Sequence, residues 1–398
     1  MRPSRLLRII CLLLSIGCGD DDGPKASDDG GGGRQDSGIA LPASDSGSSS
    51  DSGSRGDSGT RNDGGVVGAS DAMAGTPTSD AASEGPATGP TAERYFPAGA
   101  FMYQRIDSAA LDPDSAKVTQ WLQNNGGWGN GGIMQIDFSI EVLDATSSTP
   151  RRAFTPKTDE EEFYTPDCDT APFPVPTGGA LEGETGYACE SDGDCHLIVV
   201  DRAEGRLYEM WRADIRGSTF LGGCAAVWDM KRVYGPEGRG EQCSSADAAG
   251  FPIAPLLFSA DEVAAGSIDH AIRFILPNAR MRAKTYQHPG NHAGGPSGPT
   301  DAPIYGSRWR LRANFDLASL PNEGARVVAR ALQRYGMALA DGGNIALTGQ
   351  SDRFTTKKWA GLLAPRDLSS IKPADFEIVQ TGEPISLTYD CARTPIAN

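Results

Sequence analysis

Residues 133–143 read IMQIDFSIEVL. Met134, Ile136, Phe138, Ile140 and Val142 alternate with Gln135, Asp137, Ser139 and Glu141. A period of two sends successive side chains to opposite faces, so the stretch predicts a strand with one buried and one wet face. The pattern returns in GSRWRLRANFDL (306–317), where Trp309, Leu311, Ala313, Phe315 and Leu317 oppose Arg308, Arg310, Arg312, Asn314 and Asp316. HLIVVD (196–201) and RLYEMW (206–211) flank the turn-like Arg202-Ala203-Glu204-Gly205 and predict a hairpin. Further strands are expected at 224–230, 270–276, 280–286 and 343–348, with two more around 376–388. Two helices are expected. One lies near 114–124 behind Asp114 or Ser115; the other is 322–340, with a stripe of Val327, Val328, Ala331, Leu332 and Tyr335 after the cap Asn322. Many strands, abundant Gly and Pro and few helices predict a mainly β body of the β-sandwich or jelly-roll type, with no internal repeat.

Upstream of these strands the composition changes. Residues 19–92 hold 17 Gly and 13 Ser, no aromatic residue, and 13 acidic against 4 basic side chains, a net charge of −9. So little apolar surface does not offset ordering entropy, and the segment reads as a disordered linker. The remaining 93–398, 306 residues with a net charge of −10, are long enough to bury a core as one globular domain. That charge argues against a nucleic-acid partner, which needs a basic surface.

The chain opens MRPSRLLRIICLLLSIGC, with three Arg before a short apolar run at 9–16. The run is too short to span a bilayer and fits a signal peptide. Its end, Ser15-Ile16-Gly17-Cys18, resembles the lipobox of bacterial lipoproteins. That resemblance implies loss of residues 1–17, acylation of Cys18, and attachment to a membrane through lipid, with 18–92 as tether. Gly19 rather than Asp after the Cys favours the outer membrane of a bacterial envelope. Six further cysteines, Cys168, Cys189, Cys195, Cys224, Cys243 and Cys391, are an even set in an exported chain and predict disulfides. Cys189–Cys195 brackets a short loop; Cys224–Cys243 and Cys168–Cys391 are the pairings expected for the rest. With no CxxC pair and no HExxH, neither a metal nor another cofactor is expected.

HLIVVD and RLYEMW, with SADAAGFPI (245–253), IDHAIRF (268–274) and RYGMALADGGN (334–344), resemble a group of secreted bacterial proteins often joined to carbohydrate-binding modules. The resemblance covers roughly 190–375 and implies an extracellular glycan as partner. GWGNGG (127–132) satisfies a dinucleotide-binding spacing but precedes a strand, so it reads as a turn.

Two chemistries are weighed for a glycan enzyme. For hydrolysis, Glu209 beside Trp211 offers an acid next to a ring platform, with Asp229 or Asp269 as second carboxylate and His196 assisting; Asp201, Asp247 and Asp341 are further partners. For elimination on an acidic glycan, Arg310 and Arg312 neutralise a uronate and His270 or Tyr286 takes the proton. Arg308, Arg310 and Arg312 share a strand face, and Arg280, Arg282 and Lys284 repeat the spacing; side by side they form a cationic surface for a polyanion, with Arg273 near His270. His288 and His292 share one loop, and Glu190, Asp192 and Asp194 form an acidic loop between two cysteines. A non-catalytic adhesin or structural surface module is the remaining class, expected if these polar residues scatter.

Overall fold

A computed structural model describes residues 94–397 apart from 160 and 192. The signal peptide, Cys18, the linker and Asp192 lie outside the described residues. The described residues are mainly β with three α-helices: α1 Ser115–Asn124, α2 Ala260–Ala265 and α3 Glu323–Arg334.

The central sheet has six strands, in the order Ile136–Ile140, Leu347–Gln350, Ile272–Leu276, Met337–Gly342, Arg308–Leu311, Phe376–Val379. It is mixed: Ile136–Ile140 runs parallel to Leu347–Gln350 and Ile272–Leu276 parallel to Met337–Gly342, while the other pairings are antiparallel. The opening alternation is realised in its apolar half, with Met134, Ile136, Ile140 and Val142 all buried. Its polar half is drier than expected. Asp137 is only partly exposed and Glu141 is buried, because this face is covered by loops from elsewhere in the chain.

A four-stranded sheet holds the hairpin, in the order Ala225–Asp229, Arg206–Met210, Leu197–Asp201, Leu143–Asp144. Leu197 faces Met210 and Asp201 faces Arg206, as the four-residue turn dictates. All five residues of Leu197–Asp201 are buried. Alternate positions serve two cores: Ile198, Val200, Leu207 and Trp228 join the main core, while Leu197, Val199, Tyr208 and Met210 join a second one with Phe173 and Phe220. A strand covered on both faces reads as a continuous apolar run, which is what LIVV is.

Several boundaries differ from expectation. α3 starts on the Asn322 cap, whose Oδ1 accepts from the Ala325 N–H at 2.8 Å, but it stops at Arg334 rather than 340. Gly336 takes a left-handed φ of 69° there, and Met337–Gly342 continues as a central strand. The 280–286 run is a 3₁₀ turn, Asn278–Arg280, followed by a two-residue strand, Thr285–Tyr286. α2 was not anticipated although its capping box is in the letters: Ser259 and Glu262 cap each other's backbone N–H. GWGNGG is a turn packed under the sheet, with Trp128 fully buried and its Nε1 donating to the Ile371 carbonyl at 2.9 Å.

Cys189–Cys195 forms as expected; the other two pairings are exchanged, Cys168–Cys224 and Cys243–Cys391. The second ties the C-terminal tail to the loop before residue 244. Buried Asp169 reinforces that tie, accepting from Arg239 and from Arg393, each at 2.6 Å, and from the Ile396 N–H at 2.7 Å. Three disulfides place the body in an oxidising, extracytoplasmic environment. Among the described residues no helix is long and apolar enough to cross a membrane.

Candidate functional site

The central strands carry a polar row through the core. Asp137 sits opposite Thr348, and the Thr348 hydroxyl accepts from Arg273 Nη1 at 3.1 Å. Arg273, only 4% exposed, turns the rest of its guanidinium onto two carboxylates. Nε and Nη2 donate to Asp247 Oδ1 at 3.0 and 2.7 Å, and Nη2 also donates to Asp341 Oδ2 at 3.1 Å. Two oxygens on one nitrogen stand no more than about 6 Å apart, so the two carboxyl groups are near neighbours.

The two carboxylates differ in surroundings. Asp247 is fully buried, in the loop that brings SADAAG over the sheet, and its Oδ2 has no partner among the described residues. Burial, with the Asp341 charge adding to it, lifts this carboxyl to about 8 despite Arg273. One guanidinium shared between two carboxylates does not offset the burial of Asp247, so its carboxyl lies well above the usual carboxylate range. Asp341 ends a central strand, accepts from the Gly342 and Ala248 N–H groups, and is about a quarter exposed (24%). Tyr164, exposed to solvent, and His292, largely buried, both lie within electrostatic reach of it.

Above the row lies a second ion pair. His196 Nδ1 meets Glu182 Oε2 at 2.6 Å, and Nε2 donates to the Ala246 carbonyl at 3.1 Å. Burial alone would depress the imidazole; Glu182 overrides it and raises it to about 9. Burial alone would raise the Glu182 carboxyl; charged His196 beside it brings it down to about 2. Ser139 of the first strand donates to the other Glu182 oxygen at 3.2 Å.

Of the residues singled out from sequence, this constellation takes in Asp247 and Asp341, named there as further carboxylate partners, together with Arg273 and His196, the last two in other roles. His196 is a protonated partner of Glu182, not a free base, and its carboxylate is not an adjacent Asp. Glu209 is fully enclosed; it accepts from the Ile253 and Ala254 N–H groups, each at 2.8 Å, and from Trp228 Nε1 at 3.0 Å. Burial lifts it to about 7, yet all its bonds tie a loop to the hairpin sheet. Trp211 donates to Asp194. Asp229 ends the Ala225–Asp229 strand and accepts from the Lys231 N–H, and exposed Asp269 accepts from Ser267. His270 has both nitrogens engaged, by Glu262 and by the Ala271 carbonyl.

The six-cation surface does not form, because Arg308–Leu311 pairs with Met337–Gly342 and Phe376–Val379 and not with the 280–286 run. Arg310 and Arg312 both bind Glu377 at 3.0 Å, and Arg280 caps the carbonyls of Gly127 and Trp128. Tyr286 is buried with its hydroxyl on Glu241, and burial raises its pKa. Glu184, Cys189 and Cys195 lie close enough to hold a metal, but both sulfurs are spent in the disulfide.

Glu182 and Asp137 escaped the sequence reading. Their only signal was a carboxylate on a strand or loop, which is common. The chain matches no family model, no curated protein and no solved structure.

Proposed function

We propose that this chain is a bacterial surface lipoprotein, anchored through acylated Cys18, whose β body hydrolyses an extracellular polysaccharide. Asp247 and Asp341 on one Arg273 nitrogen, one enclosed and the other reaching solvent, are the observation that carries the reading. Asp341 attacks the anomeric carbon while Asp247 gives its proton to the departing glycosidic oxygen. Water then displaces Asp341 from the glycosyl ester and returns a proton to Asp247, so the configuration is retained. Arg273 is a positioning residue that holds both carboxyls in register.

Complete burial of Asp247 favours a second reading, a module that binds glycan at Asp341 without turnover. Incubating the purified chain with a panel of neutral and acidic polysaccharides separates the two. New reducing ends, lost in Asp247→Asn and in Asp341→Asn, support hydrolysis. Retention on a polysaccharide without new ends supports the binding module, and neither retention nor new ends removes both. Mass spectrometry of the native protein tests the anchor: an acylated N-terminal Cys18 is expected, and an unmodified one overturns it.

A further inference from the structure

A second site lies at Arg308. Most deeply placed arginines of this protein meet a carboxylate: Arg239 and Arg393 on Asp169, Arg273 on Asp247 and Asp341, Arg310 on Glu377. Arg308 is 3% exposed and donates only to two carbonyls, Phe101 at 3.1 Å and Tyr335 at 2.7 Å. Its Nε is buried with no partner, and no acidic side chain pairs with it among the described residues. A guanidinium carries five N–H donors, so most of this fork is unspent. Burial without a counter-charge draws its pKa down to about 10. A buried, uncompensated cation is costly, and in a body of net charge −10 its lack of an acidic neighbour calls for a ligand that supplies one.

Arg308 lines an open cavity of about 390 Å³, with Phe101, Gln104, Tyr234, His288 and Thr381 also in its wall. The His288 ring is oriented from behind: Nε2 meets Glu241 Oε2 at 3.0 Å, while Nδ1 has no protein partner among the described residues. Glu241 is in turn held by the Tyr286 hydroxyl. The cavity therefore joins a guanidinium that has no carboxylate partner and packs over the Phe101 ring at 5.5 Å, an imidazole with a free nitrogen, a second aromatic ring, an amide and a hydroxyl. None of these groups belongs to the Asp247–Asp341 constellation.

We propose that this cavity binds the carboxylate of a uronic-acid unit in an acidic glycan. The carboxylate takes the unspent Arg308 N–H donors as a charge-assisted pair. The pyranose lies against Tyr234 and Phe101, and His288, Gln104 and Thr381 meet its hydroxyls. A free small carboxylate shares the charge chemistry but uses neither ring nor hydroxyl partners.

Calorimetric titration of the full chain with trigalacturonate, its methyl ester and acetate tests the assignment. The free acid should bind at least roughly tenfold more tightly than the ester, and the difference should shrink in high salt. Arg308→Lys keeps the charge but loses the fork, and should weaken the acid roughly tenfold. His288→Gln, at a partly exposed position, should weaken acid and ester alike and guards against a misfolded arginine variant. Equal binding of acid and ester, binding of neither, or displacement by acetate at matching concentration would overturn the proposal. Asp341→Asn should leave this binding intact, so the hydrolytic reading and this one fail separately.

Discussion

Glu182→Gln isolates the ion pair that roofs the polar row. The replacement keeps the shape and an oxygen that can accept from the imidazole, and removes one charge from a pair 2.6 Å apart with His196 2% exposed. The imidazole rises from 6.5 to about 9 in the folded protein. At ~1.4 kcal/mol for each tenfold change in proton affinity, the pair stabilises the fold by about 3 kcal/mol. The matching fall of Glu182 from 4.5 to about 2 reports the same contact and is not added to it. A raised His pKa gives stabilisation that is complete below 6.5 and disappears as pH climbs through about 9. A depressed Glu pKa gives stabilisation that is complete above 4.5 and disappears as pH falls through about 2. The pair therefore acts in full between 4.5 and 6.5. Urea unfolding of both proteins across a pH series measures this. Near about pH 6 the variant should be less stable by about 3 kcal/mol, and the two curves should converge above about pH 9. A difference independent of pH would mean that packing, not charge, holds Glu182, and no difference near pH 6 would refute the pair altogether.

Other outcomes follow from the same contacts. Asp169→Ala leaves Arg239 and Arg393 facing each other without their carboxylate, and should cost about 3–5 kcal/mol in denaturant unfolding. Cys391→Ser opens the Cys243–Cys391 bridge; it should lower stability by ~2–5 kcal/mol and make the C-terminal tail sensitive to protease. If Asp247 is the acid, hydrolysis should decline as pH rises through about 8, where its proton leaves; a rate still rising there would count against that role.

The hairpin at 196–211 was legible because turn length and the unbroken LIVV run constrain pairing and burial locally. The strand at 136–140 was legible from its apolar half. Its polar half was misjudged as wet, since alternation reports which residues avoid water and not what later covers the others. Arg310 and Arg312 show the same limit. Their spacing predicts a shared face, but Glu377 on the neighbouring strand neutralises them, and strand order is a long-range property. The candidate site was half legible. Arg273, Asp247 and Asp341 stand in three blocks noted in the sequence, at positions far apart along the chain, and nothing local says that they meet. The two exchanged disulfides failed for that reason: spacing favours short loops, whereas the fold brings Cys168 beside Cys224 and the tail beside Cys243.

By itself the sequence determined the class of the body, the even cysteine set and the hairpin, because composition and short-period patterning act within a few residues. Only the tertiary structure decided which carboxylates share a guanidinium, which arginine is left without one, and whether an imidazole carries a proton. Those are matters of distance and burial, and both are set by contacts between segments from 14 to 207 residues apart, beyond the reach of any short-period pattern.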